Sequence, residues 1–130
     1  MLLRRLFIAL AFLAAAQIMS AQSLDDLRWK NRVLIIYAPA GSDEKLARQR
    51  DLLWKQTSEL RERDVTEITL RDKAERPEIT RRFGLKEFTV LLLGKDGGEK
   101  LRSAEPVQPE ALFRLIDSMP MRQEEARRQR

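Results

Sequence analysis

Two strand-length apolar runs, Val33 to Ala38 and Phe88 to Leu93, constrain this chain more than any other feature of it. A strand without a polar face must be covered on both sides, which requires a sheet carrying layers above and below. Pro39, Ala40 and Gly41 break the first run. Ser42 then stands where it can cap a helix whose first turn holds Asp43 and Glu44 against the helix dipole. That helix is expected to reach about Arg63. Leu46, Leu53 and Leu60 recur on one face, Ala47 and Trp54 widen the stripe, and Glu44/Arg48, Asp51/Lys55 and Glu59/Arg63 are spaced i,i+4. Val65 to Leu70 alternates as a second strand, with Thr66, Ile68 and Leu70 on one side, and completes a βαβ unit.

The second half continues in the same idiom. Pro77 suits the first position of a helix that carries Ile79 and Phe83 and ends before Gly84. After the second apolar run, Asp96, Gly97 and Gly98 predict a hairpin turn into a short strand, Glu99 to Arg102. A last helix with Leu112, Phe113, Leu115 and Ile116 closes the domain near Met119, and residues 121–130 are expected as a charged, flexible tail. Leu24 to Lys30 reads as a short amphipathic turn or helix. Trp29 and Trp54 are both expected in the core.

At 130 residues the chain has room for one domain, residues 22–120, and its 43% hydrophobic content suffices for a small core. It has no Cys and no His, which excludes thiol redox chemistry, imidazole bases, zinc fingers and disulfides. The formal charge of +5 does not indicate a nucleic-acid binder. Arg4 and Arg5 contribute two of those charges and the tail two more, so residues 22–120 carry +1 with interspersed signs. Residues 1–21 have the layout of a secretory signal: Arg4 and Arg5, the apolar run Leu6 to Ala16, then Ser20 and Ala21. The uncharged stretch 6–21 makes a helix of about 24 Å at ~1.5 Å per residue, short of a ~30 Å hydrocarbon core. Cleavage and a periplasmic or secreted destination are therefore expected, with no stable membrane span afterwards; an uncleaved anchor is the competing reading, since Met19 is a poor residue three before the cut.

The order β, α, β, α, β, β, α resembles the thioredoxin fold, in the α/β class, with a four-stranded mixed sheet flanked by helices. The stretch from Phe83-Gly84-Leu85 through Leu93-Gly94-Lys95-Asp96-Gly97 looks like the thioredoxin segment that enters and leaves the central antiparallel strand. The chain departs from it at both functional places. The loop Ala38 to Asp43 replaces the redox Cys pair, and Thr89 replaces the cis-proline. Leu27-Arg28-Trp29-Lys30-Asn31-Arg32, Tyr37-Ala38-Pro39, Gly94-Lys95-Asp96-Gly97-Gly98, Leu101-Arg102-Ser103 and Ile116 to Arg122 are similar to a family of small secreted bacterial proteins of unknown function with a thioredoxin- or peroxiredoxin-like domain. The same resemblance extends to the domain in vertebrate sushi-repeat-containing and coiled-coil-domain-containing matrix proteins. The resemblance implies fold and export and maps no catalytic residue onto this chain, so it leaves the activity open; no cofactor is expected.

The candidate site follows from that layout. Three connections, Pro39-Ala40-Gly41-Ser42, Glu87 to Thr89 and Ser103 to Pro106 with Glu105, are expected at one edge of the sheet, where a rigid scaffold presents its loops. The implied partner is an extended polypeptide or an envelope component. Ser42 as an anion site is opposed by Asp43 and Glu44, and no His activates its hydroxyl, so it is read as a cap. Asp25/Asp26 and Asp43/Glu44 lack the further oxygen ligands of a metal loop, as does Asp96-Gly97-Gly98. A binding or structural module is the main functional expectation, and a carboxylate-dependent hydrolase built on Asp43 or Glu44 is the alternative. Intact-mass measurement of protein recovered from its native host should give a mature chain beginning near Gln22; a full-length chain in the membrane fraction would favour the anchor.

Overall fold

The computed structural model describes residues 22–130, and the export reading of residues 1–21 falls outside the described residues. A short helix α1 (Leu24–Leu27), its Ser23 and Asp26 forming a reciprocal cap, leads into strand β1 (Arg32–Tyr37). Then follow α2 (Asp43–Leu53), a single 3₁₀ turn (Trp54–Gln56), α3 (Thr57–Glu62), β2 (Val65–Leu70) and α4 (Pro77–Arg82). The chain continues through β3 (Thr89–Leu93), β4 (Glu99–Ser103), α5 (Pro109–Asp117) and α6 (Pro120–Arg128). The strands form one sheet in the order β2-β1-β3-β4, with β1 parallel to β2 and antiparallel to β3, and β3 antiparallel to β4.

Both apolar runs are central strands, as their lack of a polar face requires. On one side Leu34 and Ile36 of β1 and Val90 and Leu92 of β3 pack against Leu46, Leu53 and Leu60 and against Leu112 and Ile116 of α5. On the other, Val33, Ile35, Tyr37, Leu91 and Leu93 meet Leu27, Ile79 and Leu85. Period-two alternation thus divides each strand between two cores, closed by α2, α3 and α5 above and by α1 and α4 below. The predicted hairpin is present: Gly94 N–H donates to Gly98 O at 2.9 Å, Gly97 N–H donates to Gly94 O at 2.9 Å, and Gly97 takes φ +81°.

Three expectations are corrected. The long helix is interrupted at Trp54–Gln56, where the Thr57 hydroxyl lies 3.4 Å from the Trp54 carbonyl oxygen; local hydroxyl bonds of this kind bend helices. Both tryptophans are exposed, Trp29 by 62% and Trp54 by 67%. Leu46, Leu53 and Leu60 already fill the buried stripe, and Trp54 stands about 100° round the helix from Leu53. Trp29 sits at φ +67° in the turn before β1, held by its N–H donating to Lys95 O at 2.6 Å.

Third, the C-terminal residues are no flexible tail. Pro120 starts α6, and two of its charged residues reach inward. Arg122 is buried and donates to the Glu62 carbonyl at 3.3 Å and its carboxylate at 3.2 Å. Glu125 accepts two bonds from Arg32, at 3.1 and 3.3 Å, and pairs with Lys95 at 2.6 Å; Lys95 also holds Asp64 at 2.9 Å. Arg32 opens β1 and is only 1% exposed, so its charge depends on α6 for compensation.

Removing Glu125 strands a buried cation. Glu125→Ala should lower the unfolding free energy by about 3 kcal/mol, whereas Arg32→Met combined with Glu125→Met should cost clearly less, both read from urea titrations. The same residues set an acid limit. Burial pushes the Glu125 carboxyl up, but bonds from Lys95 and Arg32 outweigh it and leave it below its ordinary value. Arg63, then Arg122, hold Asp117 down despite burial. Carboxylates lowered on folding stabilise fully above their unfolded range near pH ~4 and lose that contribution as pH falls through their folded values. The urea midpoint should therefore fall as pH drops below about 4.

Candidate functional site

The sheet register brings the three expected loops to one end. Tyr37 pairs with Thr89 and Val90 with Ser103, so the C-terminal ends of β1 and β4 meet the N-terminal end of β3. Pro39 to Ser42 form a turn, with Ser42 N–H donating to Pro39 O at 3.0 Å and Gly41 at φ +89°. Ala40 and Gly41 are exposed at its tip. Ser42 precedes α2, but its hydroxyl makes no capping bond, because its backbone lies at φ −105°, ψ 15° rather than in the extended conformation of a capping serine. The capping role expected of it is corrected; its carbonyl accepts the Leu46 N–H at 3.0 Å instead.

Lys45 stitches this end together. Its ammonium donates to the Ala104 carbonyl at 3.1 Å and the Glu105 carboxylate at 2.9 Å, and lies 5.7 Å from the centre of the Phe88 ring. Four residues on, the buried Gln49 amide donates to Val107 O at 3.0 Å and accepts Val107 N–H at 2.7 Å. Helix α2 is thereby locked to the β4–α5 connection. Thr89 is buried and spends its hydroxyl on the Glu87 carbonyl at 2.9 Å, while Glu87 stays exposed. Asp43 is paired with Arg71 from beyond β2. A shallow recess of about 360 Å³ remains between Glu44, Lys45, Arg48, Glu105 and Pro106. The accessible rim is thus Pro39 to Ser42, Glu87 and Glu105, with Thr89 inside it.

A larger groove, about 590 Å³, lies along β2 and was not legible from the sequence. Leu53 and Leu60 floor it, Val65 and Glu67 of β2 form one wall, and Arg50, Trp54 and Arg61 stand over it. Burial pushes the Glu67 carboxyl up and the nearby Arg50 charge partly offsets this. The Thr and Glu at alternate positions of β2 are the composition of a strand beside solvent, and that was its only signal. Trp54 puts the groove within reach of measurement. With both tryptophans exposed, acrylamide should quench the fluorescence of the native protein nearly as efficiently as that of the urea-unfolded chain.

A family model described as "Domain of unknown function (DUF4174)" matches residues 23–125. No curated protein sequence matches the chain. Among solved structures, a malaria-parasite protein described as thioredoxin-2, "a component of malaria parasite protein secretion machinery", superposes with a TM-score of 0.54 at 17% identity. That match covers 68% of this chain and 84% of the other. A second malarial protein gives a TM-score of 0.48 at 17% identity, covering 67% and 94%. The sheet order, the flanking helices and the first of these likenesses establish the thioredoxin-like fold.

Proposed function

The chain belongs to the DUF4174 family, a domain of unknown function, and from that premise we propose that it works as an exported, non-redox binding module for an extended polypeptide. The observation that carries the reading is the meeting of three loops at one end of a rigid sheet, with Lys45 and Gln49 fixing their spacing. In place of a nucleophile, that end offers a turn whose exposed tip, Ala40 and Gly41, carries little side chain, on the same sheet end as the exposed Glu87 and Glu105 carboxylates. Recognition there rests on loop backbone and carboxylates, which suits peptide groups and basic side chains. A carboxylate-dependent hydrolase has less support, because Asp43 is already paired with Arg71 and Ser42 has no imidazole base to activate it.

Ala40→Arg combined with Glu105→Lys tests the rim. The Lys45–Glu105 pair is exposed and contributes ~0–1 kcal/mol, and the buried Gln49–Val107 bonds still hold the β4–α5 connection, so the melting temperature should stay nearly unchanged. Capture of partner polypeptides from an envelope extract of the native host, with the wild type as reference, should fall by at least about tenfold, as expected when a central contact is reversed in charge. Equal capture by the double variant would place the working surface elsewhere.

A further inference from the structure

The two edges of the sheet are built differently. β4 is defended: it carries Lys100 and Arg102, and its pairing with β3 is shifted at Leu92/Leu93. β2, Val-Thr-Glu-Ile-Thr-Leu, is a regular strand of the same sheet with no Lys, Pro or register shift. Its hydrogen-bonding phase is fixed at both ends, since Arg32 N–H donates to Asp64 O at 2.8 Å and Ala38 N–H donates to Leu70 O at 2.8 Å. In a parallel ladder of this register, Thr66, Ile68 and Leu70 turn their backbone groups toward β1. Val65, Glu67 and Thr69 turn theirs outward, and among the described residues these N–H and C=O groups have no partner.

The groove beside this edge has a definite chemistry. Its floor is apolar, from Leu53 and Leu60, Val65 adds an apolar side chain to the β2 wall, and Trp54 overhangs it. Of its four charged residues, Asp64 is paired with Lys95, and Glu67 is exposed with the Arg50 charge nearby. Neither Arg50 nor Arg61 has a carboxylate within ion-pairing distance among the described residues. Two unpaired guanidiniums on an α-helical wall, above a row of unpaired backbone groups, form a complementary surface for one kind of occupant.

We propose that β2 receives an acidic, extended polypeptide segment of a partner protein as a fifth strand. The segment's backbone would pair with Val65, Glu67 and Thr69, and its groove-facing side chains would alternate an apolar residue over Leu53 and Leu60 with carboxylates toward Arg50 and Arg61. A second copy of this chain fits less well, because it would bring the same two arginines to the contact. The surface is separate from the loop rim and does not rest on it.

The test uses the full chain and a labelled, end-blocked peptide of about eight residues carrying Glu-Thr-Val-Thr-Glu, beside a control with Lys in place of both Glu. Amide exchange in the free protein should be fast at Val65, Glu67 and Thr69 and slow at Thr66, Ile68 and Leu70, and the acidic peptide should slow the first three by at least about tenfold. Fluorescence anisotropy should show the acidic peptide binding about tenfold tighter than the Lys control, a preference that Arg50→Glu with Arg61→Glu reverses while the exchange pattern of the free protein persists. Protection of the three outward amides before peptide is added would show that a second copy or another part of the chain already covers the edge, and would overturn the proposal. So would the absence of acidic-peptide binding, binding that leaves those amides fast, or equal affinity for both peptides. Because Ala40 and Glu105 lie outside this groove, the rim variant should bind the acidic peptide like the wild type, which keeps the two readings separable.

Discussion

Strand β1 has no face that water can touch, and everything else in the domain is arranged around that fact. Leu34 and Ile36 demand one layer and Val33, Ile35 and Tyr37 another, so helices must lie on both sides of the sheet. The βαβ crossover supplies the first layer from α2 and α3, while α5 returns from the far edge to share it. The second layer is thin, made from α1, α4 and the turn containing Leu85, which leaves little apolar surface to spare there. This unequal cover is why short, well-terminated helices suffice on one side and a long, interrupted one is needed on the other.

The same strand begins with a cation. Arg32 lies inside the protein at the end of the sheet opposite the loop rim, where Glu125, Lys95, Asp64 and the Arg63 carbonyl surround it. A buried ion group of this kind is a weak source of net stability, and its cost falls on changes that remove one partner and leave the other charge buried and unpaired. The molecule thus has a stapled end, organised by charge, and an open end, organised by loops. Lys45 and Gln49 brace the open end without closing it.

Much of this was legible in the sequence where backbone chemistry decides. The apolar runs declared central strands, Pro77 and Gly84 bounded a helix, and Asp96-Gly97-Gly98 turned a hairpin, because each signal acts within a few residues of itself. The failures share a different cause. Trp54 is one position out of phase with Leu53, and a single residue's rotation separates core from solvent. Arg122 and Glu125 resemble solvated helix charges until Glu62, Arg32 and Lys95 arrive from distant segments. The three loops share one sheet end, while Thr89 faces inward and Ser42 leaves its hydroxyl without a capping bond, details set by local dihedrals. The β2 groove was invisible because a strand's pattern tells which residues are half-buried, and not whether a neighbour stands on its other side.

The bond between Arg32 and Glu125 joins positions 93 residues apart. In chain order the first strand precedes by far the carboxylate that neutralises it. Enclosing Arg32 without α6 would bury an uncompensated guanidinium, so the end of β1 that carries it has its native surroundings only with this distant segment in place. Helix α6 is therefore a condition for the native surroundings of the first strand and not an appendage to it.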